Sequence, residues 1–260
     1  MKNTVLLNNG REIPALGFGV YQVPPGKVTE DSVTLALKAG YRHVDTARFY
    51  GNEKSVGNAV RASGIPRSEI FVTTKLWPVD YFNVQRAFDE SFHKLNLEYI
   101  DLYLMHFPLP LMNKRVWRQL EEIQKTGKAR AIGVSNFTVP MLERLLRGTT
   151  IVPAVNQVRF SPFSFKKGLL EFCAEKGIVV EAYSPLTRGK RLNDAVLEVM
   201  ARKYGKSSAQ LLLRWAVQHG LVVLPKSTNE KRITENAQIF DFVIGVDDMH
   251  VLDALGDRKG

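Results

Sequence analysis

The sequence predicts an α/β protein built as one (β/α)8 TIM barrel, with an N-terminal β-hairpin and a short C-terminal tail. Two observations predict it. Short β-branched runs alternate with longer amphipathic segments about eight times in 260 residues. Runs such as IDLYLM and AIGVS are apolar on both faces or small, as expected where helices cover one side of a parallel sheet and a packed interior fills the other. The whole span 1–260 reads as one domain.

The elements follow in order. Val5 to Leu7, a turn at Asn8-Asn9-Gly10, and Glu12 to Ile13 form the hairpin. Strands then begin near Leu16, His43, Ile70, Ile100, Ala129, Ala154, Val179 and Leu221, and helices with apolar residues three and four apart fill the gaps. Ser63-Gly64-Ile65-Pro66, Lys176-Gly177 and His219-Gly220 are stop signals between them. A doubly wound sheet would show the same alternation, but Gly17-Phe-Gly19 lacks the third glycine of a dinucleotide fingerprint and comes too early to open a helix. Gly205-Lys206-Ser207 ends like a P-loop, with Met200 where the first glycine is needed. Both are read as chance matches.

Composition narrows the partners. The chain carries 36 Lys+Arg and 26 Asp+Glu, a formal net charge of +10. The basic residues are spread along the chain, with small groups at Lys125 to Arg130, Arg188 to Arg191 and Lys231 to Arg232 and no basic arm. That pattern ranks nucleic acid last among partners. There is no signal-like apolar stretch and no membrane-length one, so a cytoplasmic protein without membrane association is expected. Cys173, the one cysteine, lies in a helical run and is expected as a buried thiol. The five histidines show no ligand spacing, so no metal is expected. Asn136-Phe-Thr138 matches a glycosylation acceptor, which is irrelevant without secretion.

In such a barrel, function gathers where strands end. The polar residues just after each predicted strand are Asp45 and Tyr50, Lys75, His106, Ser135 and Asn136, Gln157, Tyr183 and Ser184, and Lys226 and Ser227. Each alone has an ordinary structural explanation. Together, Asp45, Tyr50, Lys75 and His106 supply a phenol that can donate a proton, an ammonium to lower its pKa, a carboxylate to hold that ammonium, and an imidazole. Ser227-Thr-Asn-Glu230 also reads as a capping box opening a helix. With Lys226 and Arg232 beside it, the same helix start suits a phosphate.

Seven separated motifs give the chain a family resemblance: HVDTARFYGNEKSVG from His43, VTTKLW from Val72, IDLYLMHFP from Ile100, IGVSNF from Ile132, NQV from Asn156, EAYSPL from Glu181 and LPKSTNEKRITEN from Leu224. In order and spacing they resemble the aldo-keto reductases, closest in style to small microbial members such as the 2,5-diketo-gluconate reductases. The resemblance implies an NADPH-dependent carbonyl reductase, monomeric, acting on a small-molecule carbonyl substrate. It makes Tyr50 the proton donor, tuned by Lys75 and Asp45, and His106 the residue that orients the carbonyl. Ser135, Asn136 and Gln157 match positions that bind the nicotinamide carboxamide, and Tyr183 the ring that stacks on it. Ser184, Leu186 and the run from Arg188 to Arg191 would lie over the pyrophosphate. Lys226, Ser227 and Arg232 would hold the 2′-phosphate, and Glu235 and Asn236 the adenine.

Tyr21, Trp77 and Phe107 match aromatic substrate-facing positions, as does His106; core packing explains any one of the aromatics equally well. Tyr21 and Phe107 stand where relatives commonly have tryptophan, and the loop after His106 and the tail are short. A rather open pocket for small aldehydes, dicarbonyls or keto sugars is expected. Two other functions fit parts of the pattern. One is a cofactor-holding regulatory module like the potassium-channel β-subunits of the wider family. The other is a Schiff-base aldolase using Lys75, which Asp45 opposes by keeping the lysine charged.

Overall fold

A computed structural model describes residues 4–257. Strands β1 (Thr4–Leu6) and β2 (Glu12–Pro14) pair antiparallel with Val5 opposite Ile13. The hairpin packs buried Leu7 and Ile13 against Phe71, Leu102, Leu104, Ala131, Val155 and Val222, an apolar plug at one end of the barrel.

The eight barrel strands are parallel and lie side by side in chain order. They are β3 (Phe18–Gly19), β4 (His43–Asp45), β5 (Phe71–Leu76), β6 (Ile100–Met105), β7 (Ala129–Ser135), β8 (Val155–Arg159), β9 (Val179–Tyr183) and β10 (Val222–Leu224). The ring closes where Gly17 N donates to Val223 O at 2.8 Å, Val223 N to Ala15 O at 2.9 Å and Gly19 N to Pro225 O at 3.0 Å. Gly17 is needed there for contact rather than for a nucleotide: a Cβ on it would sit 2.5 Å from His43 Nδ1. Each residue of β5 and β6 is buried, because helices cover the outer face and side chains fill the interior.

The surrounding helices are α1 (Lys27–Lys38), α2 (Glu53–Ala62), α3 (Val84–Leu95), α4 (Asn113–Lys125), α5 (Val139–Leu146), α6 (Lys167–Glu175), α7 (Ala195–Lys203), α8 (Ser208–Gln218), α9 (Glu230–Ala237) and α10 (Val246–Asp253). The connection from β9 to β10 carries both α7 and α8, so that unit has two helices. Ser207 and Gln210 form the capping box that opens α8, which is what the P-loop-like Gly205-Lys206-Ser207 turns out to be. The capping box expected at Ser227 does not form. Asn229 caps α9 instead, accepting from Arg232 N at 3.2 Å, while Ser227 Oγ accepts from Asn229 N at 3.1 Å in the preceding turn. Two residues of loop separate the serine from the helix, so its side chain reaches the turn and not the first helical N–H groups.

Cys173 is buried on α6, and burial pushes its thiol up to about 11. After α10 a short 3-10 turn runs from Ala254 to Asp257. Among the described residues no helix is long and apolar enough to cross a membrane.

Candidate active site

Parallel register places side chains of neighbouring strands on the same side of the sheet. Asp45 is aligned with Gly19 and Thr73, Lys75 with Leu104, and Gln157 with Ser135 and Glu181. Several residues expected just after strands therefore lie within them: Asp45, Ser135 and Tyr183 end their strands, Lys75 is one residue from the end of β5, and Gln157 is two from the end of β8. The polar layer sits inside the C-terminal end of the barrel, not above it.

Lys75 is the centre of that layer. Its Nζ lies 2.7 Å from both Asp45 oxygens, 2.8 Å from Thr46 O and 3.4 Å from Tyr50 Oη, with no exposure to solvent. Burial opposes the charged lysine, but Asp45 and Tyr50 outweigh it and raise its pKa. Burial lifts Asp45 above its ordinary range against the pull of Lys75. Tyr50 behaves differently from the expectation that lysine would dominate it. Burial pushes its phenol up to about 12, with Lys75 pulling down and Asp45 pushing up. The proton is therefore held firmly in the resting site, beside a cation that favours its departure.

His106 ends the set. Burial and then Lys75 push its pKa down to about 2, so the ring is neutral and carries one N–H donor; its Nδ1 is buried with no hydrogen-bond partner among the described residues. Tyr50 and His106 meet edge to face at 5.7 Å between centroids. The turn carrying Tyr50 is pinned by Arg48, which reaches Asp80 at 2.8 Å and Glu90 at 2.7 Å.

These residues open onto a cleft of about 890 Å³, within the range of small-molecule sites. The residues singled out from the sequence line it, except Lys75, which lies buried beneath, and Lys190 and Arg191 of the basic run. Around the end that holds Tyr50 and His106 stand Tyr21, Trp77 and Phe107. Phe49, which sequence reasoning missed, stacks on Trp77 at 4.0 Å and 17° and is half exposed. The only signal for it was its place next to Tyr50.

Next along the cleft, Asn136 adopts a left-handed backbone at φ 64°. Its Nδ2 donates to His106 O at 3.1 Å and Ser135 Oγ at 3.0 Å, and its Oδ1 accepts from Tyr183 Oη at 2.9 Å. Ser135 Oγ donates to Gln157 O at 2.8 Å. Gln157 Nε2 is turned inward, to Asp45 at 2.9 Å and Glu181 at 2.5 Å. With the donors so committed, the capacity left at Gln157 Oε1 and on Asn136 Oδ1 is for accepting hydrogen bonds. That suits the NH₂ group of a primary carboxamide.

Further on come Ser184, Leu186 and Arg188, in a loop where Ser184, Thr187 and Arg188 all have positive φ. Of the basic run only Arg188 and Gly189 reach the cleft; Arg191 stacks on Phe163 and pairs with Asp194 at 3.1 Å. The far end is lined by Lys226, Ser227, Arg232, Glu235 and Asn236, together with Ser207, Ser208 and Ala209 at the start of α8. Lys226 and the Arg232 side chain have no hydrogen bond or ion pair among the described residues, so two uncompensated cations face the cleft there. The donor set as a whole fits an elongated ligand with a carboxamide at one end and phosphate at the other.

Comparison with known proteins points the same way. A family model described as the aldo/keto reductase family matches residues 15–257. The chain is 48% identical over 257 residues to a glyoxal reductase of Bacillus subtilis, covering 98% of this chain and 93% of that one. It is 42% identical to aldehyde reductase YPR1 of Saccharomyces cerevisiae, over 91% of this chain and 86% of the other. The crystal structure of an aldo/keto reductase from Brucella melitensis is 43% identical and superimposes with a TM-score of 0.93, covering 97% and 98% of the two chains.

Proposed function

From the premise that the chain belongs to the aldo/keto reductase family, we propose that it reduces small aldehydes, dicarbonyls or keto sugars to alcohols with NADPH, using Tyr50 as the general acid. The observation that carries this reading is the Tyr50 hydroxyl 3.4 Å from a fully buried, Asp45-bound lysine at the wall of the cleft. The reduced nicotinamide, when bound, supplies the hydride for the carbonyl carbon.

The protein does the rest by placement and electrostatics. The carbonyl oxygen sits between Tyr50 Oη and the neutral ring of His106, which polarises it with an N–H. As negative charge develops on that oxygen, Tyr50 gives up its proton to it. Lys75 stabilises the phenolate left behind, and Asp45 keeps Lys75 charged and aimed. Solvent then restores the proton. Tyr183 offers a ring face for stacking, and the acceptors on Asn136 and Gln157 hold the carboxamide. Lys226, Ser227 and Arg232 would hold the 2′-phosphate, which would select NADPH over NADH. Glu235 and Asn236 would contact the adenine, and Ser184, Leu186 and Arg188 the pyrophosphate.

The half-open aromatic rim of Tyr21, Phe49, Trp77 and Phe107 supports small or extended substrates over one bulky ketone. The glyoxal reductase relative supports the same class. The test compares wild type with Tyr50→Phe on methylglyoxal, a small aromatic aldehyde and a keto sugar, with cofactor binding followed by fluorescence. The expected result is turnover by the wild type that falls at least a hundredfold in the variant while cofactor binding persists. Binding without turnover by either protein would replace the enzyme with a regulatory module, and no binding of a nicotinamide cofactor would overturn the reading.

A further inference from the structure

A second carboxyl lies inside the barrel beneath the reaction centre. Glu181 of β9 is fully buried, in register with Gln157 of β8 on one side and Val222 of β10 on the other. Its Oε2 accepts from Gln157 Nε2 at 2.5 Å, and the same nitrogen donates to Asp45 Oδ2 at 2.9 Å. One amide thus bridges two carboxyl groups. The other oxygen, Oε1, is buried with no hydrogen-bond partner among the described residues, and His43 Nε2 stands 3.7 Å from it.

The titratable and charged groups facing Glu181 are His43 and Asp45 from β4 and Lys75 from β5; β8 adds Gln157, and β10 nothing ionisable in register. His43 is neutral, its pKa pushed down to about 3 by burial and then by Lys75. A single ammonium therefore serves two carboxyls, and its contacts go to Asp45, Thr46 O and Tyr50, none to Glu181. Two carboxylates cannot both keep their charge in so dry a space with one cation, and the one without direct contact keeps a proton.

We propose that Glu181 is a positioning residue of the reaction centre: in its acid form it holds Gln157 against Asp45, and its ionisation shuts reduction down at alkaline pH. When Glu181 releases its proton to solvent, a second negative charge appears behind Lys75 and Tyr50. The phenolate then gains less from the lysine, so Tyr50 becomes a weaker acid. The ionised carboxylate also draws the Gln157 amide away from Asp45. Burial and then repulsion by Asp45 push Glu181 up to about 8, whereas Tyr50 itself titrates near 12. The proton of this coupled pair belongs to both carboxyls, with Glu181 its main seat.

The kinetic half of this proposal rests on the reductase reading; the protonation half does not. Infrared spectra of wild type, Glu181→Gln and Glu181→Asp, recorded across pH values on either side of 8, test it without turnover. Expected is a protonated-carboxyl stretch in the wild type that disappears through about pH 8, is missing from Glu181→Gln at every pH, and returns with a shifted midpoint in Glu181→Asp. In parallel, kcat/KM of the wild type should fall tenfold per pH unit above that midpoint, while Glu181→Gln stays level through it. A Glu181 that is ionised at neutral pH, or an alkaline limb unchanged in Glu181→Gln, overturns the proposal. Should Glu181→Gln fail to fold, the wild-type and Glu181→Asp bands still decide. If no protein reduces carbonyls yet the band titrates, the reductase reading fails and the buried acid stands.

Discussion

Replacing Lys75 with methionine keeps the length of the stem and removes the charge, which isolates what the ammonium does inside the barrel. After the substitution, Asp45 keeps only the Gln157 donor at 2.9 Å among its side-chain hydrogen bonds, and its charge has no counter-ion. Two routes bound the cost. Removing one member of a buried ion pair costs about 3–5 kcal/mol when the other stays charged. Alternatively, Asp45 takes up a proton. From its ordinary pKa of 3.8 to neutrality, that costs about 4 kcal/mol, at roughly 1.4 kcal/mol per pH unit. Because burial already lifts Asp45 somewhat in the wild type, the second figure is a ceiling. The variant should therefore lose about 3–4 kcal/mol at neutral pH, a drop in Tm of roughly 6 °C or more at about 2 °C per kcal/mol. Proton uptake also carries a sign. A carboxyl whose folded-state pKa is raised contributes stability that is present at low pH and lost as pH rises. The gap between wild type and Lys75→Met should thus close as pH falls toward 4 and widen toward neutrality, by about 1.4 kcal/mol per unit at most. Urea unfolding at a series of pH values reads it directly, and Lys75→Met with Asp45→Asn should recover most of the loss. A gap that stays constant with pH would refute the reasoning.

Two further predictions follow from contacts at either side of the barrel. A Cβ on Gly57 of α2 would lie 1.9 Å from the Leu95 carbonyl oxygen, so Gly57→Ala must push α2 from the end of α3. It should cost about 3 kcal/mol by urea unfolding, and a loss under about 0.5 kcal/mol would show that the helices shift freely. At the other end, Arg232→Ala should weaken NADPH binding by about 10–100-fold in a fluorescence titration and leave NADH unchanged, since a charge-assisted contact is worth about 1.5–3 kcal/mol. Equal losses for both cofactors would remove the 2′-phosphate assignment.

The barrel was legible in the sequence because its period is local. A run such as Ile100–Met105, apolar at every position but Asp101, has no exposed face, and eight such runs in alternation leave few architectures. What failed was local detail decided by contact. The serine at 227 carries the spacing of a capping box, yet Asn229 takes the cap because the chain leaves β10 through a turn that uses the serine first. The glycines at 17 and 19 look like part of a nucleotide loop, but Gly17 is set by the approach of the His43 and Leu224 side chains where the ring closes. Neither demand is visible until strands distant in sequence are side by side.

The same distinction divides the site. Asp45, Tyr50, Lys75 and His106 stand out in the sequence because each is a reactive residue near the end of a strand, and the barrel sends all strand ends to one mouth. Glu181 satisfies the same local test, a charge inside the apolar run VVEAY, but its own strand gives it no meaning. Its role depends on Gln157, which reaches Asp45 across 112 residues of sequence, and on the one lysine those carboxyls share. Charge balance inside a barrel is a property of the ring as a whole. A substitution that adds or removes one buried proton there acts on every member at once, and for that reason the Lys75 and Glu181 variants should not behave additively. In Lys75→Met, where the cation is gone, Glu181 should keep its proton beyond the wild-type midpoint of about pH 8, so Glu181→Gln should change the pH dependence of stability above that midpoint in the wild type and leave it unchanged in Lys75→Met.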